Sequence, residues 1–337
     1  MALIFICFIT VIILFNVLKI DKTFSEEENR VLATMPKFTI KSFLSGDFVE
    51  NYTKYVEDNF AGRKGFVSIK TNLEKLSGKT EINSVFIGED GQLFEKFEEG
   101  PEEETKAKID AINSFSEKYK NLNISFMLTP TATKVLEDNL PKYAPNDDEL
   151  SYINTVFSGL NSNINTINPY EALSENKDEY IFYKTDHHWT SKGAYIAYTV
   201  MCEKLGLTPN SIENFDVVTV TDSFYGSLSS KIGIQGKKAD SIDIYIPKES
   251  DFIVTYVDEQ KKSTSLFDNT YLDKKDKYNV FTGGNHPLIN IKTLGDPNNK
   301  LLIIKDSYAN CFLPFLTSHY GEINVVYLRY FYDDLNT

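Results

Sequence analysis

Cysteine is scarce in this chain of 337 residues: there are three, Cys7, Cys202 and Cys311. Cys7 falls in an apolar run, Cys202 in a helical pattern and Cys311 among residues at helical spacing. Each therefore reads as a small buried hydrophobe, and neither a disulfide framework nor a cysteine metal site is expected. Positive charge is also in short supply: 35 Lys and Arg stand against 48 Asp and Glu, a formal net charge of −13. That balance repels polyanions and leaves no basic stripe for phosphates, which argues against a nucleic-acid partner. No internal repeat or low-complexity tract is evident. Tryptophan occurs once and histidine four times, so wherever these gather they carry information.

What is present suits one large α/β domain with an appendage, or two domains. Residues 2–20 are almost wholly apolar, with Asn16 and Lys19 the strongly polar members. The run approaches the roughly 20 residues needed to cross a bilayer as a helix. It lacks the basic start and the small residues at a cleavage point that mark a signal peptide. Residues 1–20 are therefore expected to be an uncleaved transmembrane signal anchor, unless the true N-terminus lies upstream. Lys19 and Lys22 follow the span, so the positive-inside rule does not fix its orientation. At the other end, residues 323–328 read as a strand and the chain stops nine residues later. Parallel folds normally cover such a strand, so truncation is compatible with this end too.

Residues 21–104 are expected to form a membrane-proximal helical and hairpin segment. Phe43, Leu44, Phe48, Tyr52, Tyr55 and Val56 recur at helical spacing, as do Phe66, Ile69, Leu73 and Leu76 before Gly78, giving two helices packed on the domain. Residues 85–94 alternate around Gly88 and Gly91 and suit a hairpin. The acidic run 98–104 reads as a solvated helix start. From residue 105 onward, strands at 124–128, 164–167 and 301–304 alternate with helical stripes, which predicts a parallel sheet with covering helices. Functional residues should then lie at the carboxyl ends of strands. Thr129–Thr131, Thr185–His188 and Asp306–Ser307 fit that address. Residues 210–280 differ, with short alternating runs and Lys/Asp-rich turns, and are expected to be a β-rich insertion forming a rim beside the site.

Chemistry concentrates at residues 183–190, Tyr-Lys-Thr-Asp-His-His-Trp-Thr, where Asp186, His187, His188 and Trp189 are consecutive. In an extended segment Asp186 and His188 share a face and His187 points away. A carboxylate that orients an imidazole is two thirds of a nucleophilic triad. A hydroxyl to complete it is expected where an apolar strand runs into a helix. Leu301-Leu-Ile-Ile-Lys-Asp-Ser307 has that form, and Cys311, Phe312, Phe315 and Leu316 continue at helical spacing, with Pro314 set to kink or split the helix. Ser307 is thus the candidate nucleophile, with helix N-capping as its plain alternative. The backbone at Tyr308 and the Gly283-Gly284-Asn285-His286 block supply oxyanion candidates in Tyr308, Gly284 and Asn285, with a simple glycine turn as the plain alternative for the block. His187 and Trp189 are candidates for substrate contact, Trp189 equally as a packing anchor. A metal at Asp186, His187 and His188 is disfavoured, because adjacent histidines diverge on an extended chain and no further ligand pattern is present. No metal or cofactor is expected.

The Asp186-His-His-Trp189 block resembles the signature of the DHHW protein family, which is similar to SGNH-like acyltransferases that modify exported polysaccharides, the alginate O-acetylation proteins among them. The likeness extends to Phe24–Arg30, Phe86–Gly91, Gly283–Pro287 and the Ser307 segment. It implies an SGNH-hydrolase-like α/β fold over residues 105–337 and a Ser307–His188–Asp186 triad. The chain departs from the Gly-Asp-Ser-Leu block of GDSL hydrolases, carrying Lys305-Asp-Ser-Tyr308 instead. The resemblance further implies an acyltransferase or esterase acting on O-acetyl groups of cell-surface polysaccharide. It places the domain outside the cell, anchored in the membrane by a single pass beside a membrane-bound acyltransferase that supplies acetyl groups. The alternative is a non-catalytic carbohydrate-binding or assembly protein of the cell envelope.

Overall fold

The computed structural model describes residues 1–25, 30–233, 238–248 and 251–333. Residues 26–29 of the Phe24–Arg30 block and the last four residues lie outside them. The largest sheet has five strands in the order Lys261–Ser263, Phe252–Tyr256, Leu288–Thr293, Glu322–Val326, Lys300–Ile304. Ile289 and Ile291 pair with Val325 and Ile323, and these four are buried. Period-two alternation thus fixes the register, since a one-residue slip would turn all four to the other face. Smaller sheets pair Ile124–Met127 with Ile164–Ile167 in parallel and Phe215–Phe224 with Asp240–Pro247 in antiparallel.

The expected parallel sheet is realised only in part. Among the described residues, parallel pairing is confined to Ile124–Met127 with Ile164–Ile167 and to Lys300–Ile304 with Glu322–Val326. The other three pairs of the large sheet are antiparallel. The cause is the region 210–280, whose strands at 252–256 and 261–263 are not an independent rim. They extend the sheet through 288–293, and closely spaced strands joined by tight turns pair antiparallel.

The helix Ser191–Leu205 covers the core. Thr190 caps its start, accepting from Gly193 N–H at 3.3 Å, and Gly206 ends it at φ 68°. Ala194, Ala197, Tyr198, Met201 and Cys202 form its buried stripe, the spacing of an amphipathic helix. The core also takes in Phe86, Phe94, Trp189, Phe281, Phe315 and Ile323, so the strands at 85–95 share one interior with the strands after residue 280.

The N-terminal residues form helices, and one expectation for them, burial of apolar stripes against the domain, changes. The first helix runs Ala2–Leu18 with no buried residue, and among the described residues no helix is long and apolar enough to cross a membrane. At 17 residues it spans about 25 Å. The helices Asp47–Asn59 and Arg63–Leu76 do not bury their apolar stripes: Val49, Tyr52, Phe66, Ile69, Leu73 and Leu76 are all exposed. Among the described residues, the second helix meets the domain where buried Thr71 donates to Ile232 O at 2.7 Å and Val67 lies against Gly233.

Candidate active site

Residues 181–190 form a loop, not the extended segment expected. Its base is closed by Phe182 and Trp189, which bridge antiparallel, and by Thr190 N–H donating to Ile181 O at 2.9 Å. Gly193 is needed for this closure, because a Cβ there would meet Ile181 O at 2.4 Å. Asp186 and His188 still meet, by a different route. Asp186 Oδ1 accepts from His188 N–H at 3.0 Å, an Asx-type turn, and lies 2.6 Å from His188 Nδ1. His187 does not point away; its ring stands 3.9 Å from the His188 ring.

His188 Nε2 lies 2.8 Å from Ser307 Oγ, so residues 119 positions apart form one line with Asp186. Burial opposes ionisation of Asp186, but His188 and His187, the His188 hydrogen bond and the Ser227 N–H hold its carboxyl far below the usual range. Burial, reinforced by His187, pushes His188 below the ordinary 6.5 despite the pull of Asp186. At neutral pH the pair is therefore carboxylate and neutral imidazole. An ionised carboxylate only accepts, so the imidazole proton sits on Nδ1 and Nε2 is left to accept from the serine hydroxyl.

The ligand-capable atoms of Asp186, His187 and His188 lie within 4.8 Å of one another. Each is already engaged: His188 by Asp186 and Ser307, His187 Nδ1 by Ser227 Oγ at 2.6 Å, and Asp186 Oδ2 by Ser227 N–H at 2.7 Å. A cation here would compete with the contacts that these groups make to one another, to Ser227 and to Ser307.

Ser307 begins a short 3₁₀ helix, Ser307–Cys311, followed by another, Leu313–Leu316. The single helix expected from Tyr308 onward is split, consistent with Pro314, and Cys311, Phe312, Phe315 and Leu316 are all buried. Two oxyanion candidates are otherwise occupied. Tyr308 N–H donates to Asp306 Oδ1 at 2.9 Å, and Gly284 N–H to Phe281 O at 3.2 Å. Asn285 remains: its Oδ1 accepts from Asn310 at 3.1 Å, leaving Nδ2 without a partner among the described residues. Trp189 is 1% exposed and cannot face substrate. Its Nε1 donates to Tyr308 O at 2.9 Å, while the Tyr308 hydroxyl donates to His187 O. These reciprocal bonds clamp the two loops together. His187 is about one-third exposed and is the one substrate-contact candidate with an open face.

Several supporting residues carry no signal in the sequence. Tyr278, one of 20 tyrosines, stacks on His188 at 3.9 Å and 8° and donates to Ser307 O at 3.1 Å. Asp240 accepts from Tyr180 OH, from the N–H groups of Lys184 and Thr185, and from Thr185 Oγ1 at 2.5–2.8 Å, which pins the loop from beneath. Gly226 and Ser227 lie against Asp186 from the region taken for a rim. For Tyr278→Phe, the stacked ring stays and the hydroxyl bonds go. A loss of about 1 kcal/mol in stability with turnover within about tenfold of the parent is expected from denaturant titration and kinetics. Tyr278→Ala opens a cavity beside His188, and a loss of about 3–5 kcal/mol is expected.

A mixed α/β fold that sets an aspartate, a histidine and a serine in one hydrogen-bonded line defines the class: an α/β protein with a Ser–His–Asp site. The chain belongs to the DHHW protein family, whose model matches residues 84–326, a span that holds every member of the site. It is similar to the crystal structure of a DHHW family protein from Eubacterium siraeum, with 27% identity over 74% of this chain and 84% of that one and a TM-score of 0.64. Bacillus cereus PatB1, solved with a sulfonyl adduct, shares the fold at 19% identity over 74% and 89% and a TM-score of 0.60. The O-acetyltransferase domain of Pseudomonas putida AlgJ is a looser likeness, 14% over 72% and 78% at a TM-score of 0.44. No curated protein sequence matches the chain.

Proposed function

We propose that this protein is an SGNH-like acyltransferase or esterase that acts on O-acetyl groups of cell-surface polysaccharide with Ser307 as nucleophile. The observation that carries the reading is the line Asp186 Oδ1, His188 Nδ1, His188 Nε2, Ser307 Oγ, with contacts of 2.6 and 2.8 Å. His188 Nε2 takes the hydroxyl proton as Ser307 Oγ forms a bond to the acyl carbon. The carbonyl becomes a tetrahedral oxyanion. When it collapses, the bond to the leaving oxygen breaks, and that oxygen departs with the proton from His188. A carbohydrate hydroxyl or water then gives its proton to His188 and takes the acyl group, and Ser307 recovers its own. Asp186 stabilises the imidazolium in both steps.

A carbohydrate-binding protein without chemistry would use exposed aromatics beside the site, whereas Trp189 and Tyr278 are buried. The apolar residues 1–20 would hold the domain at the outer face of the membrane, next to a membrane-bound acyltransferase that delivers acetyl groups.

A sulfonyl fluoride tests the serine directly. One sulfonyl group per chain is expected on the peptide containing Ser307, and none on the Ser307→Ala variant, read by mass spectrometry of the digested protein. Modification elsewhere with Ser307 untouched would overturn the mechanism.

A further inference from the structure

Behind Ser307 lies a polar chain that the proton line does not use. Lys305 follows the strand Lys300–Ile304, and its Nζ donates to Asn310 Oδ1. Asn310 is 1% exposed, within the same short helix as Ser307. Its Nδ2 donates to Asn285 Oδ1 at 3.1 Å. Asn285 follows a bend in which Thr282, Gly283 and Gly284 all have positive φ, at 61°, 72° and 98°. A buried threonine in that conformation is strained and persists only where its surroundings enforce it. Here Thr282 Oγ1 lies 2.6 Å from Phe281 O and 2.7 Å from Gly284 O, and Thr282 N–H donates to Leu266 O at 2.6 Å.

The orientation of both amides follows from the chemistry of the lysine. An ammonium only donates, so it selects the oxygen of Asn310. Asn310 must then present its NH₂ to Asn285, which can meet it only with its own oxygen. The Asn285 NH₂ is thereby left without a partner among the described residues and can donate outward. We propose that Lys305 and Asn310 are positioning residues that fix the side-chain amide of Asn285 as a hydrogen-bond donor to the oxygen of the attacked carbonyl. This inference rests on the serine mechanism above and adds the group that would stabilise its oxyanion.

The environment of Lys305 is costly for a structural role. Burial pushes its ammonium down to about 8 against the opposing influence of Asp306 and Cys311. Its Nζ also stands 4.8 Å from the centre of the Tyr327 ring, and no carboxylate forms an ion pair with it among the described residues. A well-packed apolar side chain in such a place is commonly neutral or stabilising. A purely structural Lys305 would therefore be hard to account for.

The test is a double-mutant cycle on the full chain, with a chromogenic acetyl ester as substrate and sulfonyl labelling of Ser307 in parallel. Asn310→Asp keeps the size and pairs with Lys305, but it cannot donate to Asn285 Oδ1 and turns that amide round. A fall in kcat of about 10²-fold is expected, the cost of one oxyanion donor, with KM within about threefold. Asn285→Ala should lose a similar factor, and Asn285→Ala/Asn310→Asp should be no worse than Asn285→Ala alone. Lys305→Met should lower kcat while Tm holds or rises. Multiplying losses in the double variant, unchanged turnover in Asn310→Asp, or a Tm that falls in step with kcat in Lys305→Met would each overturn the positioning role. Absence of labelling at Ser307 in the parent protein would instead bring down the serine mechanism itself.

Discussion

The Asp186→Asn variant is expected to fold and to lose about 10⁴-fold in kcat/KM, the scale on which a misassigned imidazole tautomer acts. The reason is a count of donors. One Asp186 oxygen receives His188 N–H and faces His188 Nδ1; the other receives Ser227 N–H. Both backbone groups can only donate. An asparagine must aim its own NH₂ at one of them. Aimed at Ser227, it leaves a buried N–H unsatisfied. Aimed at His188, it drives the ring proton to Nε2, which can no longer accept from Ser307. Steady-state kinetics against pH give a second reading. His188 must be neutral to act, and its pKa is lowered, so the acid limb of kcat/KM lies below 6.5 and activity is full at neutral pH. Asp186 opposes that lowering, so the residual activity of the variant should have its acid limb at still lower pH. A variant keeping a tenth of parental activity would show that the carboxylate is not part of the chemistry. The depressed Asp186 pKa also means a stabilising contribution that is present above its ordinary 3.8 and is lost as pH falls. Asp186→Asn should lack that part of the acid sensitivity.

Gly226→Ala is the second large effect. A Cβ at this position would stand 2.2 Å from Asp186 Cβ and 2.3 Å from Asp186 Oδ2, distances no packing tolerates. Asp186 is held by three backbone and side-chain donors and cannot yield without releasing them. Gly226 N–H is itself tied to Thr185 Oγ1 at 3.0 Å. The clash must therefore move one loop off the other. Overpacking of this kind costs about 1–3 kcal/mol or more, and displacing a reacting group by about 1 Å costs about 10² in rate. Thermal unfolding and turnover should fall together in Gly226→Ala. The neighbouring Ser227→Ala keeps the N–H bond to Asp186, loses only the hydroxyl contact to His187, and should stay near parental activity. A fully active Gly226→Ala would mean that the loop is not seated on Asp186.

The site was legible where a local pattern reports on chemistry. Asp186, His188 and Ser307 stand out because scarce residues cluster at one place and a hydroxyl follows an apolar strand at the other. Their partners were not. Gly226 is one glycine among 17, and its necessity arises from a carboxylate 40 residues away. Asp240 is one acid among 48, in a stretch whose alternation says strand and nothing of a loop to be pinned. The oxyanion candidates could be named as residue types. Whether an N–H is free or already engaged is a property of the folded backbone, as Tyr308 and Asp306 illustrate. For the fold, periodicity found the strands but not their directions. Direction depends on which strand lies alongside, and the strand at 288–293 became the neighbour of both 252–256 and 322–326 only through tertiary packing.

The clamp between the two loops has a consequence for how the protein is made. Trp189 reaches to the backbone beside Ser307, and Tyr308 reaches back to the backbone beside His188, across more than a hundred intervening residues. Contacts so distant in sequence form only after the long loop between them has closed. A nascent chain halted before residue 307 carries an acid and a base with nothing to act upon. On the proposed mechanism, acyl chemistry is thus withheld until Ser307 has been made and folded against His188, and any shorter product is inert.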